Sequence, residues 1–109
     1  IYTLSLHDAL PIYELRSLVM LEIVISNQFK TDLKLAKKRG LKLDKLHEVV
    51  DTLAAKQVLE DKYRDHNLTG DHKGFRECHI EPDWLLIYRI DDDLLELFLF
   101  RTGTHSDLF

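Results

Sequence analysis

The sequence has few of the residues that cross-link or interrupt a chain: its 109 residues include one cysteine, two prolines and four glycines. A single cysteine, Cys78, excludes an internal disulfide and fits a reducing cytoplasm. No stretch approaches the roughly 18 apolar residues that a membrane-spanning helix needs. With 45% hydrophobic and 31% charged residues, the composition is typical of a globular protein, and the length fits one domain.

An excess of positive charge is also missing, since the formal net charge is −4. The chain as a whole therefore does not indicate nucleic-acid binding. The charge is nevertheless segregated, because lysine and arginine predominate between residues 27 and 45. One face of the first predicted helix carries Lys30, Lys34, Lys37 and Lys38. These lysines are candidates for contacts with RNA phosphates, although an ordinary solvated helix face has the same pattern.

The first nineteen residues differ from the rest of the chain. They lack the basic start and the clean apolar run of a signal peptide, because His7, Asp8 and Pro11 interrupt the apolar residues. The stretch TLSLHDALPI resembles a translated sequencing adapter. We therefore expect residues 1–19 to be a spurious or disordered extension and residues 20–109, from Met20 onward, to form the domain; a genuine extension is the alternative.

Hydrophobic periodicity predicts an α+β domain. The apolar spacing changes from alternation to a helical repeat and back, with a polar connector over 57–73. The predicted strands span 21–26, 74–81, 84–90 and 94–101, and the predicted helices span 28–39 and 43–56. This order favours an N-terminal strand and a two-helix hairpin packed on an antiparallel-rich sheet whose last three strands form a meander. Helices on one face would leave the other face of the sheet open.

Several polar side chains are expected to meet on that open face. Alternation along 74–81 places Cys78 on the core side, and Glu77 and His79 on the opposite side. His66 lies in the loop before the sheet, Asp83 lies in the turn after His79, and His105 follows a glycine-containing turn at 102–104. Taken singly, each histidine is more often a solvated surface residue than a catalyst.

Together, such side chains are suited to cleaving RNA by transesterification. A base removes the proton of a ribose 2′-OH, the oxygen attacks the adjacent phosphorus, and an acid protonates the departing 5′-oxygen. Histidine suits both roles near neutral pH, and an arginine such as Arg101 can offset charge on the phosphoryl oxygens. Trp84 and Phe109 are candidates for stacking on bases, although a core position for Trp84 is an equally good interpretation.

Four segments resemble one known family, namely SNQFKTDLKLAKKRG, DHNLTG, KGFRECHIEPDWLLIYRI and RTGTHSDLF. They are similar to the YafQ-type ribonuclease toxins of bacterial type II toxin–antitoxin pairs, within the RelE/ParE superfamily. The combination of HxxPDW with RTGTH is the specific part of the match. The resemblance covers residues 20–109 and implies the RelE/ParE-like fold.

The resemblance also implies the activity and the site. It implies a cytoplasmic endoribonuclease (an mRNA interferase) that cuts mRNA on the ribosome, needs no metal or other cofactor, and is neutralised by a cognate antitoxin in a hetero-oligomer. The family's catalytic residues fall on His66, His79, Asp83 and His105, with Phe109 closing the site. His105 is expected to be the general acid, Asp83 or His79 the general base, and His66 an assisting group.

Two features depart from the family. Its members are commonly basic, whereas this chain is acidic. Asn67 stands where the family usually has proline, and we expect this change to loosen the loop that carries His66.

Two other functions remain open. Three histidines and an aspartate are suitable ligands for zinc or another divalent ion, although no HxxxH or CxxC spacing supports a metal-dependent hydrolase. The chain would instead be a non-enzymatic binding toxin, like ParE-type relatives, if the histidines served no acid–base chemistry.

Overall fold

The computed structural model describes residues 20–109, so the expectation about residues 1–19 lies outside the described part. The five strands are β1 (Glu22–Ile25), β2 (His66–Asn67), β3 (Arg76–Glu81), β4 (Trp84–Asp91) and β5 (Glu96–Gly103). The helices are α1 (Asn27–Lys38), α2 (Leu43–Ala54) and the short α3 (His105–Leu108). Two 3₁₀ turns, Asp61–Tyr63 and Gly70–His72, flank β2.

The strands form one sheet in the order β1-β5-β4-β3-β2. Strand β1 runs parallel to β5, and every other neighbouring pair is antiparallel. The predicted α+β architecture, with an N-terminal strand, two helices and a three-strand meander, is confirmed. The sheet nevertheless has a fifth strand, since residues 66 and 67 within the predicted connector pair with β3.

Local sequence signals explain where the helices begin and end. The Ser26 side chain accepts a hydrogen bond from the Phe29 N–H and so caps the N-terminus of α1. Helix α1 ends before Gly40, whose positive φ of 77° suits a residue without a side chain. Phe29 and Ala36, which are seven residues apart and so lie on the same face of α1, are buried. Helix α2 stops at Ala54, two residues earlier than predicted.

The core lies between the two long helices and one face of the sheet. Residues of α1 and α2 are packed in one buried cluster with Cys78, Trp84, Leu86 and Leu97. Burial raises the pKa of the Cys78 thiol to about 12, so the cysteine is a core residue and not a reactive thiol. Among residues 20–109, no helix is long and apolar enough to cross a membrane.

Strand β5 ends later than the sequence predicts. Thr102 and Gly103 pair with Leu86 and Leu85, so the turn predicted at 102–104 is the end of a strand followed by the N-cap of α3. The Asp107 side chain would lie 3.0 Å from a Cβ at Gly103. The glycine therefore lets α3 pack closely against the end of β5, which fixes the position of His105 at the start of α3.

Candidate active site on the open face of the sheet

His66 is held by β2 and by contacts on both sides of it. It pairs with Glu77 across the β2–β3 ladder, and its ring Nδ1 lies 2.7 Å from the Arg64 carbonyl. A carbonyl oxygen can only accept, so Nδ1 carries the hydrogen and donates it. Arg64 has a left-handed φ of 49°, which turns the chain so that this carbonyl reaches the ring. The Nε2 atom of His66 is thereby directed towards the sheet.

One arginine clamps the two neighbours of His66. Arg76 binds Asp65 through Nε (3.3 Å) and Nη2 (3.1 Å), and its Nη1 donates to Asn67 Oδ1 at 2.6 Å. The Tyr88 hydroxyl also donates to Asp65; burial, reinforced by Asp65, raises the pKa of Tyr88. The asparagine side chain thus makes a contact that proline cannot make, which counteracts the loosening expected from the missing proline.

His79 lies beside His66 on the same face. Its Nδ1 is 3.3 Å from the Pro82 carbonyl, and its ring centroid is 6.4 Å from that of His66. The Nε2 atoms of His66 and His79 both approach Glu77 Oε1, at 3.5 and 3.7 Å. Glu77 is on the predicted face, but it is only 5% exposed. Its place among the site residues was not predicted from the sequence.

His105 completes the set from the other end of the chain. Its Nδ1 donates to Asp83 Oδ1 at 2.6 Å, and its backbone N–H donates to the same oxygen at 3.0 Å. These hydrogen bonds hold the pKa of Asp83 below its usual range. The centroid of the His105 ring is 5.7 Å from that of His79. The structure therefore brings together His66, His79, Asp83 and His105, as the sequence predicts.

The short helix that carries His105 is anchored by Asp107. Thr104 and Asp107 form a capping box, in which Thr104 Oγ1 accepts from the Asp107 N–H and Asp107 accepts from the Thr104 N–H. Asp107 also binds Arg39, with Nη1–Oδ2 at 2.6 Å. The Arg39 side chain is the main cause that lowers the pKa of Asp107. A four-residue helix would otherwise be unstable, so this anchor positions the His105 ring.

Arg101 is not free to move, because Asp32 holds it. The Asp32 carboxylate accepts from Arg101 Nε and Nη2, at 3.0 and 3.1 Å, and from the Thr102 N–H at 3.1 Å. This pairing raises the pKa of Arg101. Asp32 is only 7% exposed, and its role was not predicted from the sequence. The sequence offers one sign of its burial, because Asp32 lies at helical spacing between Phe29 and Ala36 on the buried face of α1.

Of the two aromatic candidates, Trp84 is buried and Phe109 is exposed. Trp84 is 2% exposed, and its indole N–H donates to Thr102, so neither ring face is available to a base and Trp84 is removed from the substrate-binding set. The core interpretation is the one that the structure supports. Phe109 is 61% exposed and lies edge-on to His72, 5.5 Å between centroids.

An aromatic patch on the open face was not predicted. The Phe75 and Phe100 rings stack at 4.8 Å, and Phe98 lies 6.4 Å from Phe75. The Arg89 guanidinium lies 5.0 Å from the centre of the Phe75 ring and 5.2 Å from that of Phe98. Phe75 precedes Glu77 by two residues on the same side of the sheet, so the patch adjoins the histidines. Phe98 and Phe100 come from β5, so the three rings meet only because the strands pair into one sheet.

Basic side chains are exposed on α1 and line a groove beside His79. The four candidate lysines of α1 are exposed and have no ion-pair partner within residues 20–109. The C-terminal end of α1, which follows Lys37 and Lys38, is linked to α3 through the ion pair between Arg39 and Asp107. A groove of about 470 Å³ opens beside His79; its charged lining residues are Lys45, Glu48, Lys62, Arg64 and Glu81.

Within the described range, no group of three or more histidine, cysteine, aspartate or glutamate side chains is arranged to hold a metal ion. The histidines are spread in a row along the sheet, and each of their Nδ1 atoms is taken by a protein oxygen. What the arrangement offers is a chain of imidazoles beside two carboxylates, which is suited to proton transfer.

Three imidazoles in a row beside two carboxylates, on the open sheet face of a small α+β protein, are an arrangement that suits an acid–base enzyme. Residues 21–109 match the family described as bacterial toxin of type II toxin–antitoxin system, YafQ. The chain belongs to this family.

Individual relatives agree with this assignment. The mRNA interferase toxin YafQ of Escherichia coli K12 is 42% identical over 93 residues, covering 84% of this chain and 99% of the relative. A metal-bound toxin from Helicobacter pylori has 50% identity and a TM-score of 0.79, over 83% of this chain and 100% of that one. The E. coli DinJ–YafQ toxin–antitoxin complex gives 41% identity and a TM-score of 0.76, over 84% and 99%.

Proposed function

We propose that this chain is the toxin of a type II toxin–antitoxin pair and that it is an endoribonuclease that cleaves mRNA on the ribosome. Family membership and the E. coli relative named an mRNA interferase support the activity. The observation that carries the proposal is the convergence of His66, His79 and His105 from three separate segments, with ring centres 6.4 and 5.7 Å apart.

The geometry supports separate catalytic roles for the three histidines and Asp83. His105 is the general acid: Asp83 accepts its Nδ1–H, which leaves Nε2 to deliver a proton to the departing 5′-oxygen. His79 is the general base that takes the 2′-OH proton, and His66 assists it. Asp83 is the poorer choice for the base, because two hydrogen bonds from His105 stabilise its carboxylate and lower its pKa. The products are a 2′,3′-cyclic phosphate and a 5′-hydroxyl.

Substrate binding uses the surrounding side chains. Arg101, fixed by Asp32 through two of its nitrogens, presents Nη1 to a phosphoryl oxygen. Phe109 and the aromatic patch stack on unpaired bases, in place of the buried Trp84. The exposed lysines of α1 (Lys30, Lys34, Lys37 and Lys38) contact phosphates of mRNA or ribosomal RNA.

The partners and the place of action follow from the same reasoning. The DinJ–YafQ complex is a toxin–antitoxin assembly, and we infer that a cognate antitoxin neutralises this chain in a similar hetero-oligomer. Translating ribosomes lie in the cytoplasm, and the proposed reaction takes place there. The family match over 21–109 supports residues 20–109 as the toxin domain, so a chain that starts at Met20 should retain cleavage.

The test is to induce the full chain in bacteria, alone and with His105→Ala, and to map the 5′ ends of cellular mRNA. New ends are expected with the unchanged chain and a loss of about 10²-fold or more with His105→Ala. His47→Ala is the matched control, since His47 is exposed on α2 outside the site. Full toxicity of His105→Ala would mean that the chain is a binding toxin and not a nuclease.

A second arm tests the metal alternative, since one relative is a metal-bound toxin. Purified protein is incubated with translating ribosomes and mRNA, with and without a strong chelator. Cleavage that persists in the chelator supports the acid–base mechanism. Cleavage that disappears, and that returns on adding zinc, would show instead a metal-dependent reaction.

A further inference from the structure

A groove lies along the part of β3 that β2 does not cover. Strand β2 pairs only with Arg76 and Glu77, so within residues 20–109 no strand covers the remaining outer edge of β3, from 78 to 81. Helix α2 and the 3₁₀ turn Asp61–Tyr63 supply the facing wall. The groove has a volume of about 470 Å³, and His79 is one of its lining residues. It is therefore continuous with the candidate active site.

Two cations of this groove have no opposite charge to neutralise them. Lys45 is paired with Glu81 at 3.0 Å. Lys62 and Arg64, in contrast, are exposed and form no ion pair within residues 20–109. The Lys62 ammonium lies 5.1 Å from the centre of the Tyr63 ring, which is also part of the wall. An anion that enters the groove therefore meets two uncompensated positive charges.

A neighbouring groove has the opposite charge. Its charged lining residues, Glu48, Asp51 and Glu60, are all acidic. Glu48 and Tyr63 line both grooves and so mark the boundary between them. Because the two unpaired cations line only the first groove, a polyanion is attracted to that groove and repelled from the second.

Arg64 connects the groove to the catalytic histidines. Its carbonyl accepts the hydrogen bond from His66 Nδ1 at 2.7 Å, and this requires a left-handed backbone with a φ of 49°. Residues with long side chains rarely adopt this conformation, which glycine adopts most readily. The backbone role thus gives no reason for an arginine, whereas a phosphate in the groove does, because a guanidinium binds phosphate oxygens in a bidentate manner.

We propose that this groove binds the phosphate of the mRNA strand that lies one nucleotide upstream of the scissile phosphate, with Arg64 and Lys62 as the phosphate-binding residues. This inference rests on the proposed ribonuclease function. His79 takes the proton of the 2′-OH, which belongs to the nucleotide on the 5′ side of the cut. His79 lines the groove, whereas Asp83 and His105, which act at the leaving group on the 3′ side, do not. The upstream phosphate is therefore the one that faces Arg64 and Lys62.

The first test measures binding and does not depend on cleavage. The isolated full chain is titrated into fluorescent single-stranded 2′-O-methyl RNA, which lacks the attacking hydroxyl, and anisotropy gives the affinity at several salt concentrations. Each phosphate contact contributes about 0.7 to the slope of log affinity against log salt. The slope should become shallower by about 0.7 in Arg64→Gln and in Lys62→Gln, and by about 1.4 in the double variant. Lys42→Gln, at an exposed lysine outside the groove, is the matched control and should keep the wild-type slope.

A conservative variant separates the charge of Arg64 from its backbone role. Arg64→Lys keeps the charge and should keep most of the wild-type slope, although the bidentate contact is lost. A residue that served only to hold His66 through its carbonyl would not respond to charge in this way. If the slopes of Arg64→Gln and Lys62→Gln equal that of Lys42→Gln, the groove does not bind RNA phosphate and the proposal is overturned. If Arg64→Gln does not fold, Lys62→Gln alone gives the same decision.

The second test identifies which phosphate is bound. Each mRNA carries one uncharged methylphosphonate linkage, either directly upstream of the nucleotide that supplies the 2′-OH or two linkages downstream of the cut. Cleavage on translating ribosomes is measured with the wild type and with the double variant of Arg64 and Lys62. In the wild type, the upstream linkage should lower kcat/KM on the order of fivefold more than it does in the double variant, because the double variant has already lost the contact. The downstream linkage should affect both proteins equally.

The outcomes separate this proposal from the proposed function. Equal effects of the upstream linkage on the wild type and the double variant would overturn the assignment of the groove to this phosphate. A wild-type chain that cuts no mRNA, while its RNA binding shows the expected changes of slope, would overturn the proposed function alone.

Discussion

Replacing Asp32 with alanine should destabilise the protein and loosen the strand end that leads to His105. The variant removes two hydrogen bonds from Arg101 and one from the Thr102 N–H. A hydrogen bond to a charged group contributes roughly 1.5–3 kcal/mol. Water can replace part of this contribution, because the Arg101 side chain is 27% exposed. Alanine also recovers about 0.5 kcal/mol of helix propensity.

We therefore expect Asp32→Ala to lower the free energy of unfolding by about 2–3 kcal/mol, which is roughly 10–20 °C in Tm for a domain of this size. Urea unfolding, followed by the fluorescence of the buried Trp84, measures the change. Asp51→Ala removes an exposed carboxylate from α2 and should stay within about 0.5 kcal/mol of the wild type.

A double-mutant cycle with Arg101→Ala locates the effect. If the ion pair organises this strand end, the two substitutions should be non-additive by about 1–2 kcal/mol. A loss below about 1 kcal/mol for Asp32→Ala, or additive effects of the two substitutions, would refute the reasoning. Arg101 would then be a mobile surface side chain.

Three further outcomes are expected. Asp107→Asn should weaken the α3 anchor. In the wild type the pKa of Asp107 is lowered, so its stabilisation is complete above about pH 4 and is lost as the pH falls further. Protection of the α3 amides, relative to their intrinsic exchange rate, should therefore fall in acid in the wild type and be low at every pH in the variant. Asn67→Ala removes the acceptor of Arg76 and should speed amide exchange in β2 at little cost in global stability; unaltered exchange would remove Asn67 from the clamp. Phe98→Leu should weaken binding of single-stranded RNA about fivefold or more, measured by fluorescence anisotropy against Val58→Ala, and equal affinities would show that the patch does not bind bases.

The sequence alone was sufficient for the elements that depend on short-range patterns. The helical repeat of Phe29 and Ala36, the cap at Ser26 and the stop at Gly40 determine α1 locally. Alternation assigned Cys78 to the core and Glu77 and His79 to the opposite face. The motifs around His66, His79, Asp83 and His105 predicted the family, and the structure brings these four residues together because neighbouring strands fix their register.

Only the tertiary structure decided the features that depend on residues distant in the chain. The burial of Trp84 depends on Thr102, the immobilisation of Arg101 on Asp32, and the aromatic patch on the pairing of three strands. The burial of Glu77 is decided in the same way, because a carboxylate on a strand is exposed or buried according to the residues beside it. Periodicity indicates which face a side chain occupies, but the partner that sets its charge and mobility comes from another segment.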